Sequence, residues 1–263
     1  MNPMDLLELF RNLAGNRNTI LEYFNTEILP DAINSVNSQF AFRRLAKLGR
    51  ADEPLPTDPK QLSSYRTRLG TMLEYSIGSE LDRIIREKYD DKISLTHAVA
   101  HEYPDFYIRG PSLAKTLRIE MKAVDCESDE QAARFDAPTS AIDSNADFVL
   151  FVGWEWKKET SGKNLQWEHP HIFAYVFVPA IELAKERDVR LYQIGGRIED
   201  DKVLVPSTKD PGKYVEDPGN YGKIWRIIHS TRLRSSLSPQ MCIFADFLKE
   251  VEKHAPRREC RRK

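Results

Sequence analysis

Apolar residues in the first fifty positions recur at helical spacing, as in Leu6, Phe10 and Leu13 and later Phe40, Leu45 and Leu48, with asparagine-rich breaks between them. This pattern predicts two or three N-terminal helices. Residues 52–59 carry three prolines, which remove backbone donors and disfavour helix in the preceding residue, so this stretch reads as a connector. Ser63 or Ser64 then caps a long helix ending near Tyr89, with Leu69, Leu73, Ile77, Leu81 and Ile84 forming an apolar stripe.

Beyond that helix the period changes to two. Strands are predicted at residues 93–99, 106–109 and 117–124, the last two separated by a Gly110-Pro111 turn. A polar stretch, residues 127–145, includes a short helix around residues 131–135. The runs 148–156 and 172–178 read as buried strands, too apolar for sheet edges. Pro179 opens a helix through Arg187, since proline is tolerated at a first helical turn. After Asp188 the pattern gives loops and a hairpin, then a helix over residues 239–254. Helix, three strands, helix, two strands, helix implies an α/β class: a central mixed β-sheet flanked by helices, preceded by an N-terminal helical segment. The expected organisation is one unit over 1–263, with a helical segment at 1–60, a core at 61–187 and C-terminal additions at 188–263.

Composition narrows the class. The chain has 263 residues, 41% hydrophobic and 30% charged, the balance of a globular protein. Its longest apolar stretch, residues 172–181, contains a proline and is shorter than the ~20 residues a membrane-spanning helix needs, and Asp5 and Glu8 interrupt the leucines where a secretory signal would be unbroken. Three scattered cysteines, Cys126, Cys242 and Cys260, fit neither a zinc ribbon nor a disulfide scaffold, which points to a reducing cytoplasm. The net charge of −1 announces no polyanionic partner, but charge is segregated: Arg257, Arg258, Arg261, Arg262 and Lys263 end the chain, and carboxylates crowd residues 125–147.

The third strand carries the candidate chemistry. Alternation sends Leu117, Ile119, Met121 and Ala123 to one face and Arg118, Glu120, Lys122 and Val124 to the other. Packing the apolar face on the helix containing Glu74 fixes the register and presents Glu120 and Lys122 side by side. A return through Gly110 brings Asp105 beside Glu120. Two carboxylates, with the Met121 carbonyl, would cradle a hard divalent cation such as magnesium.

Pro104-Asp105 followed by Glu120-Met121-Lys122, on strands two and three, resembles the motif of the PD-(D/E)XK nuclease superfamily. Leu69-Gly70 and Leu73-Glu74 resemble the helix that often precedes it in restriction endonucleases and repair nucleases, and residues 69–156 span the likeness. The resemblance implies a restriction endonuclease-like core at 61–187 and hydrolysis of phosphodiesters in double-stranded DNA. Asp105 and Glu120 would hold Mg2+, with Mn2+ as a substitute, and the metal would activate water. Lys122 would either stabilise charge on the phosphorane oxygens or, with a depressed pKa, deprotonate the nucleophile. Glu74 is either a second cation ligand or a solvent-facing carboxylate. Within the superfamily, a type II restriction enzyme acting as a homodimer suits a chain of this size. A repair or junction-resolving nuclease and a non-catalytic DNA-binding module are the alternatives.

The competing account of Glu120 and Lys122 is an ion pair on a solvated sheet, worth roughly 0.5 kcal/mol. His97, His101, His169 and His171 lack partners at zinc-ligand spacing and read as packing or surface residues. The nucleophile elbow, the Gly-x4-Gly-Lys phosphate loop and the dinucleotide fingerprint are absent, so no nucleotide cofactor is expected. Lys223, Arg226, Arg232 and Arg234 around Trp225, and Lys209 with Lys213, are candidate phosphate contacts; core packing of Trp225 with solvated neighbours is the competing reading.

Overall fold

The computed structural model describes residues 6–42, 57–88, 92–98, 103–110, 115–127, 133–161, 165–200, 202–217, 219–228 and 236–255. The basic tail, His101, Arg232, Arg234 and most of the proline-bearing connector lie outside them.

Of the asparagines expected to break the N-terminal helices, Asn12 does so, between the first two, and the later ones do not. After α1 (Leu6–Arg11), α2 (Leu13–Tyr23) passes through a π-helical turn, Phe24–Ile28, into α3 (Leu29–Phe42) without interruption. Asn12 does cap α2, accepting from the Gly15 N–H at 3.1 Å. Asn25 and Asn37 instead turn their amides towards a strand edge, described below.

The long helix α4 (Pro59–Lys88) begins earlier than the serines suggested. Asp58 is its cap, with its Oδ1 accepting from the Lys60 and Gln61 N–H groups at 3.1 and 2.9 Å. Proline is favourable at the first helical position because the missing donor would have had no intrahelical acceptor. The stripe from Leu69 to Ile84 is buried as the spacing predicts. Gly78 lets this helix press on the sheet: a methyl group there would lie 2.8 Å from Phe106 Cε1 and 3.0 Å from His97 Cε1.

Five strands form one mixed sheet in sequential order: β1 (Ser94–His97), β2 (Phe106–Arg109), β3 (Lys115–Asp125), β4 (Asp147–Ser161) and β5 (Leu165–Pro179). All neighbours are antiparallel except the parallel pair β3 and β4. Between those two, no helix forms over the described residues 133–135, where Arg134 makes an isolated bridge to Lys223, and residues 131–132 of the helix expected there lie outside the described ones; among the described residues of the crossover the regular element is a 3-10 turn at Thr139–Ala141. Pro138 precedes that turn. After β5 come α5 (Ala180–Gln193), a small antiparallel sheet of β6 (Arg197–Glu199), β7 (Lys202–Pro206) and β8 (Tyr214–Glu216), α6 (Ile224–Ile228) and α7 (Pro239–His254). The chain is therefore α/β, with its mixed sheet covered on both faces.

The two faces make two cores. One packs Leu117, Ile119, Met121, Leu150 and Val152 under α1–α4; the other packs Val124, Val149, Phe151, Val176 and Val178 under α5–α7. Burial on both sides explains why residues 148–156 and 172–178 are so apolar. That same apolarity misleads about position, because β5 is an edge strand. At two positions side chains satisfy its outer backbone. The Asn25 amide donates to the Phe177 carbonyl and accepts from its N–H, both at 3.1 Å, and Asn37 does the same at Ile172, at 2.9 and 2.8 Å. Two amides mimic a sixth strand and blunt the edge.

Asn37→Ala should leave the Ile172 donor and acceptor without partners and lower stability by about 1–3 kcal/mol. Urea unfolding followed by circular dichroism checks this; an unchanged midpoint would mean that water serves the edge equally well.

Candidate metal centre and cleft

The site arises where β2 stops. The β2–β3 ladder begins with Phe106 opposite Ile119, so no strand pairs with the β2-facing side of β3 from Glu120 onward among the described residues. Asp105, the residue before β2, fills the first vacant rung: its Oδ2 accepts from the Met121 N–H at 2.7 Å. Its own carbonyl accepts from Ala98 N at 2.8 Å, tying the segment to the end of β1. Because the N–H and C=O of a strand residue face the same side, the Met121 carbonyl is directed towards Asp105 as well. The Met121 side chain is in the core under α4.

Glu120 and Lys122 share the opposite face of β3 with Val124, towards α5–α7. The Lys122 ammonium contacts Glu120 Oε1. This face is not solvated: the Glu120 and Lys122 side chains are only 12% and 23% exposed. Glu120 Oε2 is buried without a hydrogen-bond donor. Burial raises the Glu120 pKa, Lys122 opposes this and Asp105 adds to it. For Lys122, burial pulls the pKa down but Glu120 and Asp105 together outweigh it, so the net shift is upward and the side chain stays a cation. Of its two expected roles, this environment supports the electrostatic one.

Glu74 faces the same group from α4. Its pKa is raised to about 7, first by burial and then by Asp105, against the opposing field of Lys122. It lines a cleft of about 490 Å³ with Gly70, Lys122 and Ala123. An Arg66–Asp125 ion pair at 3.0 Å joins α4 to the end of β3 at this cleft. Asp105, Glu120, Lys122 and Glu74 thus lie within one another's electrostatic reach. They do not form a tight cage: among the described residues no three His, Cys, Asp or Glu side chains converge to hold an ion. The donors available to a cation are the two carboxylates and the Met121 carbonyl, with the remaining positions left to water and substrate. That oxygen set fits a hard divalent ion, which habitually keeps several waters. The donorless Glu120 oxygen is the second point of fit, because an uncompensated buried carboxylate oxygen costs at least about 1–3 kcal/mol and a cation would remove that cost.

Two contributors escaped sequence reasoning. Asp136, in the β3–β4 crossover, adds negative potential at both Glu120 and Lys122. Asp147, wholly buried, accepts from Arg118 and from the Tyr103 hydroxyl, the latter at 2.9 Å, and so clamps the segment leading into Asp105 onto the start of β4. Both lie in the carboxylate-rich stretch that charge counting flagged, but their partners come from strands distant in sequence. Other candidates sit apart. His97 stacks on Tyr75, with ring centroids 4.4 Å apart, and meets Phe106 edge-on at 5.0 Å. His169 is buried beside Pro170. His171 is depressed in pKa by burial and by Lys157. Trp225 packs against the second core. Lys223 and Arg226 border a separate cavity of about 60 Å³ with Arg190, whose pKa is lowered by burial and by Arg226. Lys209 and Lys213 are exposed in the β7–β8 connection.

No protein-family model matches the chain, and comparison with curated proteins finds no relative. Among the described residues no helix is long and apolar enough to cross a membrane.

The raised Glu74 pKa makes a signed prediction for the metal-free protein. Between the unfolded value near 4.5 and the folded value near 7, the unfolded chain releases its proton first, so stability is lost as pH rises through this window. Glu74→Gln should therefore be more stable than the parent at pH 8 by on the order of 1 kcal/mol, after discounting for the half-exposed carboxyl, and indistinguishable from it at pH 4. Thermal melts in chelator at both pH values check this. An equal difference at both would place the effect in packing rather than charge.

Proposed function

We propose that the chain is a magnesium-dependent endonuclease of the PD-(D/E)XK kind, with a restriction endonuclease-like core, that hydrolyses phosphodiester bonds in double-stranded DNA. One observation carries the reading. On a Glu-Met-Lys strand whose Met121 and Lys122 line a cleft, the Lys122 ammonium rests against a buried carboxylate that has one oxygen without a donor, and a second carboxylate, Asp105, is hydrogen-bonded to the backbone of the residue between them. The resemblance of Pro104-Asp105 and Glu120-Met121-Lys122 to the superfamily motif supports it.

In this reading Asp105, Glu120 and the Met121 carbonyl hold Mg2+, or Mn2+ in its place, and when bound the ion supplies Lewis-acid chemistry and lowers the pKa of its water. The residues of the chain do the rest. Lys122, kept protonated by the two carboxylates, places positive charge beside the reacting phosphate, where it counts most as negative charge develops. Glu74, with its proton retained up to near neutral pH, is a weak ligand below that pH and a stronger one above it. Asp147 and Arg118 hold the Asp105 segment in place, so the geometry is set before substrate arrives. A sequence-specific type II restriction enzyme is the form we favour. A two-fold dimer would set two clefts across a palindromic site.

Purified protein incubated with magnesium and unmethylated plasmid should give discrete fragments, and chelation should stop their formation. Nicking confined to branched DNA would place the chain among repair nucleases instead, and binding without cleavage would make it a DNA-binding module. Lys122→Ala should lower the rate by about 10²–10³-fold while duplex binding persists, since the charge acts on the transition state. Unaltered cleavage by that variant would remove Lys122 from the reaction.

A further inference from the structure

The long helix α4 carries two interior glycines with opposite surroundings. Gly78 is required by packing, as shown above. At Gly70 a methyl group would meet no atom of the described residues within 4 Å beyond its own helix backbone and chain neighbours. An interior helical glycine costs about 1 kcal/mol relative to alanine, and no packing contact among the described residues repays that cost at Gly70.

What lies over Gly70 is the cleft. Ser63, Arg66, Thr67, Gly70, Thr71 and Glu74 recur at helical spacing, and this face forms one wall opposite Lys122. Leu69 is the first fully buried residue of the helix among those described; the turns before it, from Pro59, lie at the margin of the core, where Tyr65 packs partly buried. They are tied down at their flank by the Arg66–Asp125 pair and by a Tyr65–Trp156 stack with centroids 6.4 Å apart. The Thr67 and Thr71 hydroxyls each donate back to the helix, to the Ser63 and Thr67 carbonyls at 3.0 Å. The two hydroxyls flanking Gly70 are therefore engaged within the helix. Lys60 and Arg68 add positive charge on its outer side, where a shallow surface depression adjoins.

We propose that the Gly70 turn is the seat of the nucleic-acid strand: a phosphodiester backbone lies directly against the helix there, and that close approach delivers the scissile phosphate to Lys122. Gly70 is thus a positioning residue that works by lacking a side chain. The inference rests on the nuclease reading given above.

The test separates stability from substrate placement. Gly70→Ala adds a methyl in open space and should raise Tm by about 2–4 °C. Gly70→Leu, also a good helix former, should keep the parent Tm or exceed it, yet raise KM for a duplex substrate at least tenfold with kcat changed far less. Ser79→Leu, on an exposed position of the same helix away from the cleft, should leave KM unchanged. Duplex binding measured by fluorescence anisotropy in a Lys122→Ala background should weaken by the same factor when Gly70→Leu is added. If the parent cleaves with magnesium and Gly70→Leu has the parent KM and affinity, the placement is wrong while the nuclease reading stands. If the parent neither binds nor cleaves nucleic acid, both fall. A lowered Tm for Gly70→Ala would equally overturn the inference, since it would reveal an internal packing role.

Discussion

The early end of β2 is the constraint on which the site depends. Had its ladder continued past the Phe106–Ile119 pair, another strand would have covered the backbone from Met121 onward. Instead one carboxylate, that of Asp105, replaces the missing rung, and the gap between α4 on one face and the β3–β4 crossover on the other becomes a cleft. Sheet edges are normally blunted because unpaired backbone invites association. The outer side of β5 follows that rule through Asn25 and Asn37, and β1 follows it through Asp82, whose carboxylate accepts from the Leu95 N–H at 2.8 Å. Among the described residues no strand pairs with that side of β3 beyond the Asp105 contact.

The charges in that opening are not arranged for stability. A buried ion pair returns little net stability because desolvation offsets its attraction, whereas leaving a carboxylate oxygen buried without a donor costs at least about 1–3 kcal/mol. Glu120 makes the first interaction and bears the second cost. Asp136 adds negative potential at Glu120, and burial with the fields of Asp105 and Glu120 raises the Glu74 pKa to about 7. Local rules broken together at one cleft are the usual mark of a functional site.

Much of this was legible from the alternation of residues. The period-two pattern at Leu117, Ile119 and Met121 identified the buried face of β3 and so the side on which Glu120 and Lys122 stand, and the stripe from Leu69 to Ile84 identified the helix beneath it. What stayed hidden depends on contacts between segments distant in sequence. The asparagines looked like helix breakers because their local preference is for caps and turns, yet Asn25 and Asn37 are held in helix by bonds to β5, and a π-helical turn accommodates Asn25. The apolarity of β5 reported two covered faces and said nothing about its free edge. Asp58 rather than a serine caps α4, since proline after the cap marks a start as well as a break. At Gly70 the sequence shows only a glycine; that nothing packs over it is visible in three dimensions alone.

Whether the carboxylates form a cation site is the most direct question to put to the protein. Electron paramagnetic resonance of Mn2+ titrated into the full chain measures free and bound ion. The account predicts saturable binding to the parent that is lost or greatly weakened in Glu120→Gln and in Asp105→Asn, with both variants still folded. Binding of equal strength in all three proteins, or none in the parent with or without duplex DNA present, would contradict it.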